Sequence, residues 1–333
     1  MRSAYVTTEG GMLRRAGGRL VVVRGHEELA SLVADDLEQL VIVGNLTITA
    51  GALDLLAEHH IDTVFLSSHG RLRARLAPAG VGNGSLRLAQ YRLLQSPARA
   101  TQLARAVVRA KLANQRSLLQ RAARQRDDER LRTGSVAMAA AMARLNRATN
   151  VDEVRGFEGA GAAAYFAVFH ALVDDARFPF RGRNRRPPLD AVNALLSFGY
   201  TLLFTRMVAA VEIVGLDPLL GTLHAPEASR ASLALDLMEP FRPVAVDALI
   251  VGGIRRGALR PEHFEDVVAG EPVIMRPEGS RALVELFARR MERLFVDVRT
   301  GKQRTLRDLL VEEARAVARF ILDDVPYEGM RIR

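Results

Sequence analysis

SPARATQLARAVVRAKLANQRSLLQRAARQRDDE, Ser96 to Glu129, contains no acid before Asp127. Its apolar residues recur at intervals of three and four, so that Leu103, Val107 and Ala110 share one face. Ser96 stands where a helix cap is favoured. Pro97 falls in the first turn, where a missing N–H costs little. The stretch is predicted to be one long helix. Arg99, Arg105, Arg109, Arg116, Arg121 and Arg124 are spread around the rest of its surface.

The texture differs on the two sides of this helix. Before it, AYVTT, GMLRRAGGRLVVV and LEQLVIVG are short β-branched runs broken by glycine pairs, as hairpins are. AGALDLLAEHHI has helical spacing, with Leu53, Leu56 and Ala57 on one side, and DTVFLSS and GRLRARLAP read as two further strands. AGVGNGS, Ala79 to Ser85, has the composition of a linker. After the long helix, Ala and Leu dominate, and helices are expected at 135–148, 151–176, 188–214, 231–252, 279–296 and 304–323. The expected class is α+β: a small β-rich N-terminal domain (1–80), a linker (81–85) and a larger all-α domain (86–333).

The chain has 333 residues, 49% hydrophobic, enough for a sizeable core. Net charge is +9, carried almost wholly by arginine, since lysine occurs only at Lys111 and Lys302. Arginine forks match phosphate, so the surplus points to nucleic acid or an anionic surface. Coding bias toward Arg and Ala is the competing explanation. The absence of cysteine excludes disulfides, Fe–S clusters and cysteine–zinc sites, and fits a reducing cytosol. MRSAYVTTEGGMLRRAGG has no apolar core of a secretory signal. NALLSFGYTLLFTRMVAAVEIVGL carries Arg206 and Glu212, so it reads as a buried helix rather than a membrane span. A cytoplasmic protein without a membrane partner is expected.

Several stretches hold residues suited to chemistry. In LHAPEASRASLALDLMEPFRP, Asp236 and Glu239 are one turn apart among apolar neighbours, and His224 is expected to end a preceding helix. The acids either face water or pair with Arg242, or they hold a cation. Pro240 and Pro243 each remove a backbone donor and predict a kink. In RGFEGAGAAAYFAVF, Glu158 lies among Gly156, Gly159 and Gly161. That pattern suits either tight helix packing or close approach of a ligand to the backbone. Tyr165 lies two turns on along roughly the same face. In FRGRNRRPPLDAVNALLSFGYTLL, Arg181, Arg183, Arg185 and Arg186 make a basic loop before Asp190 and Asn193. Such a loop is either solvated or holds a phosphate backbone.

FEGAGAAAYF, RRPPLDAVNALLSFGYTLL, GLDPLLGTLHAPEASRASLALDLMEPFRP and KLANQRSLLQR occur here in the order found in one family. The chain resembles the CRISPR-associated integrase, the metal-dependent endonuclease-like subunit of the spacer-acquisition machinery, over nearly its whole length. The resemblance implies a β-rich N-terminal domain and a helical catalytic domain. It implies a metal site of Glu158, His224 and Glu239 for Mg²⁺ or Mn²⁺, with Asp236 as a supporting acid. Pro240 departs from the family pattern, where a polar residue is expected. The implied reaction joins the 3′-OH ends of short double-stranded DNA fragments to CRISPR repeat DNA by direct transesterification. Tyr165 and Asn193 then become positioning residues, and Arg109, Lys111, Arg116, Arg181, Arg183, Arg185 and Arg186 phosphate contacts. Implied partners are a second copy of the chain in a homodimer, and a small ferredoxin-like adaptation subunit completing a heterohexamer. The reading from another class is a non-catalytic, Arg-rich DNA-binding scaffold.

Overall fold

The computed structural model describes residues 2–78, 82–184, 187–265 and 270–332. Its first part is strand-rich: β1 (Ser3–Val6), β2 (Gly11–Ala16), β3 (Arg19–Arg24), β4 (Glu27–Val33), β5 (Gln39–Val43), β6 (Leu46–Ile48), α1 (Ala50–Glu58), β7 (Asp62–Leu66) and β8 (Leu72–Leu76). One sheet runs β4-β3-β2-β6. The other runs β1-β5-β7-β8, parallel from β1 to β7 and antiparallel at β8. All five residues of β5, QLVIV, are buried, as expected of a parallel strand covered on both faces. Leu40 and Ile42 join the core inside the strand-rich part, whereas Val41 and Val43 join the core of the helices. Alternation at period two thus divides one strand between two cores.

The second part is helical: α2 (Gly84–Leu94), α3 (Pro97–Arg126), α4 (Glu129–Leu145), α5 (Val151–Ala167), α6 (Phe169–Val173), α7 (Ala191–Val214), α8 (Ser232–Met238), α9 (Ala248–Arg255), α10 (Pro277–Glu292) and α11 (Leu306–Leu322), with a hairpin of β9 (Leu294–Val296) and β10 (Gln303–Thr305) before α11. The expected long helix is α3. Ser96 occupies its N-cap position, but the Ser96 hydroxyl accepts no capping bond. Of the expected linker, 79–81 lies outside the described residues, and Asn83 already caps α2 through Leu86 N at 3.0 Å. Helix α7 is long and apolar enough to cross a membrane by composition, yet 78% of that window is buried within the fold. Its two charges tie it to the strand-rich part: buried Arg206 donates to Gln39 Oε1 at 2.9 Å, and Glu212 pairs with Arg75.

Two expected helices are interrupted. The 151–176 helix breaks at Val168, whose backbone (φ −104°, ψ 5°) leaves the helical region, and α6 ends at Asp174 with φ 50°. The 231–252 helix changes pitch three times. It is α-helical to Met238, 3₁₀ over Glu239–Phe241, π over Arg242–Asp247, then α-helical again. Pro240 and Pro243 supply no N–H, so the ladder tightens and then widens around them. The 279–296 helix stops at Glu292, its last residues forming β9.

Candidate metal centre

Four elements meet at Glu239. Lys111 on α3 donates to Glu158 Oε1 on α5, and its Nζ lies 2.6 Å from Glu239 Oε2. Arg242, three residues after Glu239, donates from Nε to Glu239 Oε1 at 2.9 Å. The pitch change at Pro240 turns Glu239 and Arg242 to the same side. Asn114, one turn after Lys111, pins that irregular backbone by donating to the Pro240 carbonyl at 2.8 Å. Lys111 and Asn114 thus grip the two sides of the kink from one face of α3.

The electrostatics follow from this enclosure. Burial pushes the Glu239 carboxyl up, but Arg242, Lys111 and His224 outweigh it and depress it to about 2. Burial pulls the Lys111 ammonium down, yet Glu239 and Glu158 hold it above its ordinary value. Both groups are therefore charged at neutral pH. Glu239 Oε2 is buried, and the Lys111 ammonium 2.6 Å away offsets its charge.

His224 does not end a helix, as the sequence suggested. It sits in the loop between α7 and α8, and Asp236 shapes that loop. The buried Asp236 carboxylate accepts from Thr222 N at 2.6 Å, Leu223 N at 2.9 Å and His224 N at 2.9 Å. It also bonds His224 Nδ1 at 2.7 Å, which leaves Nε2 as the ring nitrogen for a ligand. Gly221 permits the close fold-back, since a Cβ there would lie 2.6 Å from the Ser232 backbone. Arg155 on α5 donates to the Leu223 carbonyl at 2.6 Å, tying this loop to the helix that carries Glu158. Among the described residues no three carboxylates or imidazoles stand already gathered around one point. Glu158 and Glu239 meet through Lys111, and His224 acts on Glu239 through its field.

Glycine on α5 proves to have two uses. A Cβ at Gly161 would strike Leu112 at 2.5 Å, so that position is helix packing. A Cβ at Gly156 or Gly159 would meet nothing within 4 Å, so these two positions are not helix packing. Tyr165 is fully buried and donates to Asp247 Oδ2 at 2.9 Å, while Tyr200 donates to Oδ1 at 2.6 Å. Burial raises Asp247 to about 6 against the pull of these two donors and of Arg242 and Arg183. Arg242 lies 4.4 Å over the Tyr200 ring, so the Tyr–Asp network underpins the residue that holds Glu239.

The expected phosphate contacts separate into distinct groups. Arg109 is exposed and bonds Asn146 Oδ1 at 2.6 Å, and Arg181 is exposed. Arg116 is half-buried, donating to the Ser135 carbonyl at 3.3 Å. Arg183 turns inward to Asn193 Oδ1 at 2.7 Å and Ser197 Oγ at 3.1 Å. Asn193, fully buried, also bonds the Gly182 carbonyl at 2.8 Å and Asp190, and so fixes the loop before α7. Arg185 and Arg186 lie outside the described residues. Lys111 belongs elsewhere than expected: only 6% exposed, it is part of the carboxylate centre rather than an outer surface. One cluster escaped the sequence reading. Arg121, Arg126, Arg255 and Arg256 line a cavity of about 420 Å³, and burial together with Arg293, Arg121 and Arg256 depresses the neighbouring Arg290 to about 10.

A strand-rich part packs on helices, and two acids and an oriented imidazole lie near the helical kink. Residues 4–289 match the family model of CRISPR associated protein Cas1, and the chain belongs to that family. It is 34% identical over 331 residues to the CRISPR-associated endonuclease Cas1 1 of Chlorobaculum tepidum, covering 98% of this chain and 96% of that protein. The fold is similar to that of a Cas1 protein from Thermotoga maritima, with TM-score 0.83, 23% identity and coverage of 96% and 97%. It is also similar to a casposase bound to integration product, with TM-score 0.85, 23% identity and coverage of 99% and 93%. The protein is thus an enzyme of the CRISPR-associated endonuclease type.

Proposed function

We propose that the chain joins the 3′-OH ends of short DNA fragments to the repeat of a CRISPR array by direct transesterification. The observation that carries this reading is the convergence of Glu158 and Glu239 on one cation, the Lys111 ammonium, with the His224 ring fixed by Asp236. Glu158, Glu239 and the Nε2 of His224 would hold Mg²⁺ or Mn²⁺, and their donor set suits either ion. When bound, that ion supplies charge neutralisation at the phosphodiester and activation of the attacking hydroxyl. The 3′-oxygen of the fragment attacks phosphorus in the repeat, the phosphodiester P–O bond breaks, and the displaced oxygen leaves as a new 3′-OH. The number of phosphodiester bonds is unchanged, and no covalent protein intermediate is needed.

The chain's own residues set this up. Asp236 fixes the tautomer and aim of His224, Arg242 holds one oxygen of Glu239, and Asn114 fixes the kink. The Arg121–Arg126–Arg255–Arg256 cavity, with exposed Arg109 and Arg181, offers phosphate attraction blind to sequence. The resemblance supports a homodimer bridged by a small ferredoxin-like adaptation subunit, acting in the cytoplasm, with the strand-rich and helical parts as separate domains. The scaffold reading has one observation on its side, since Lys111 already pairs with both acids.

The deciding experiment is transfer of a labelled fragment into a plasmid carrying leader and repeat, with Mn²⁺ or Mg²⁺ and the partner subunit. Glu158→Ala, His224→Ala and Glu239→Ala should each lose roughly 10³-fold in strand transfer, the scale of charge stabilisation an active-site ion supplies, with DNA binding retained. Integration at wild-type rate by all three variants would remove these residues from the chemistry.

A further inference from the structure

The Lys111 amine is buried at 6% exposure and lies between the same two oxygens that the metal reading assigns to an ion, Glu158 Oε1 and Glu239 Oε2. A divalent ion bonded to both would lie about 2.0–2.6 Å from each, leaving no room for a like charge on the same oxygens. We propose that Lys111 is a resident counter-cation that the divalent ion must displace, so that metal loading releases the amine toward the open side of the site. The inference rests on the metal reading above.

The surroundings single out Lys111 as the group that moves. Arg242 binds the other oxygen of Glu239, stacks on Tyr200 and feels Asp247, so its planar fork is held on several sides. His224 is fixed by Asp236, not by the lysine. Asn114 holds the kink through Pro240 independently of Lys111. Removing the amine therefore leaves Glu239 positioned. Lysine itself is a point charge on a flexible four-carbon stem, the cation best able to swing without moving backbone. A way out exists on the side of Glu158, whose side chain is 25% exposed.

The charge balance gives the exchange a purpose. With Lys111 and Arg242, the two carboxylates are neutral as a group. Exchange of a monovalent for a divalent cation leaves one positive charge, the complement of one phosphodiester. The released ammonium stays tethered to α3 beside that phosphate and adds a second cation. An empty centre would be electrostatically silent to DNA, and a loaded one attractive.

The composition makes a direct test available, because Lys111 and exposed Lys302 are the only lysines. Reductive methylation of the full-length protein, followed site by site by mass spectrometry, reads the accessibility of Lys111 with Lys302 as internal reference. Saturating Mn²⁺ should raise Lys111 labelling at least about fivefold relative to Lys302, since an amine released from between two buried carboxylates becomes accessible to the reagent. In parallel, Mn²⁺ occupancy is measured from the electron paramagnetic resonance of the free ion. Lys111→Met should bind Mn²⁺ about tenfold more tightly than wild type, for loss of one nearby positive charge. Mn²⁺ bound through Glu158 and Glu239, with Lys111 labelling unchanged, would overturn the displacement while leaving the metal site intact. No Mn²⁺ binding, or binding equal in wild type, Glu158→Gln and Glu239→Gln, would overturn both. If Lys111→Met does not fold, the wild-type labelling decides alone.

Discussion

Two clusters of buried charge lie in the helical part, and they are finished to different degrees. Around Arg299, the acids Asp297 and Glu313 are wholly buried and well supplied with donors. Arg299 reaches Asp297 Oδ2 at 2.9 Å and Glu313 Oε2 at 2.6 Å, and Tyr327 OH and Met330 N donate to Glu313 Oε1 at 2.5 and 2.9 Å. Around Lys111, Glu158 is partly open, and the two acids share a single lysine between them. A completed cluster ties the chain's C-terminal residues to α11. An incomplete one holds charge in readiness for something else. The contrast separates structural from chemical use of the same residue types.

The sharpest way to break that contrast is a pair of isosteric changes. Glu239→Gln should lower strand transfer by about 10²–10³-fold with modest change in stability, whereas Glu313→Gln should leave transfer per folded molecule intact and lower the unfolding free energy. Equal effects on transfer would erase the distinction. Next in size, Arg299→Met should cost about 3–5 kcal/mol in urea unfolding, because it strands two buried carboxylates. A loss below about 1 kcal/mol would show that the cluster tolerates its missing partner.

Asp247 sharpens the comparison through pH. Its folded pKa of about 6 lies above the ordinary 3.8, so its favourable contribution is complete below the unfolded value and is lost as pH rises through about 6. Relative to Asp247→Asn, wild type should therefore lose on the order of 2–3 kcal/mol between pH 4 and pH 7, read from unfolding midpoints on both proteins. Glu239 has the opposite sign. Its pKa is depressed to about 2, so its contribution is present above the unfolded value and disappears only as pH falls through about 2. The smallest effect belongs to the surface: Arg109→Ala should change stability by less than about 0.5 kcal/mol and reduce the salt slope of DNA binding by about 1.

Much of the fold was legible because period and punctuation survive in the sequence. Ser96 and Pro97 announce α3, and the buried run of β5 stands out as apolar. Strand β4 was invisible because EELASLV lies largely at the exposed surface and carries no alternation. The break at Val168 and the start of α2 were hidden, being set by packing rather than composition. Pro240 and Pro243 did announce the kink after Glu239, though not its 3₁₀ and π pitches. The site was legible only through resemblance. Glu158, His224 and Glu239 are far apart in the chain, and no local spacing joins them. The phosphate contact expected at Lys111 follows from the resemblance, and no acid stands near Lys111 in the sequence to suggest otherwise. Only the fold puts it between two acids, and only the fold reveals Asn114 as the brace of the kink.

Strand β5 has a consequence for anyone dividing the molecule. Val41 and Val43, with Val64 and Leu66 of β7, form one wall of the helical core, and Arg206 reaches through that wall to Gln39. A helical fragment starting at residue 84 would be a room with a side missing. It would show water an apolar opening and an arginine that has lost its bond to Gln39. The two parts are consecutive in sequence yet share masonry, so they are expected to melt in a single transition rather than in turn.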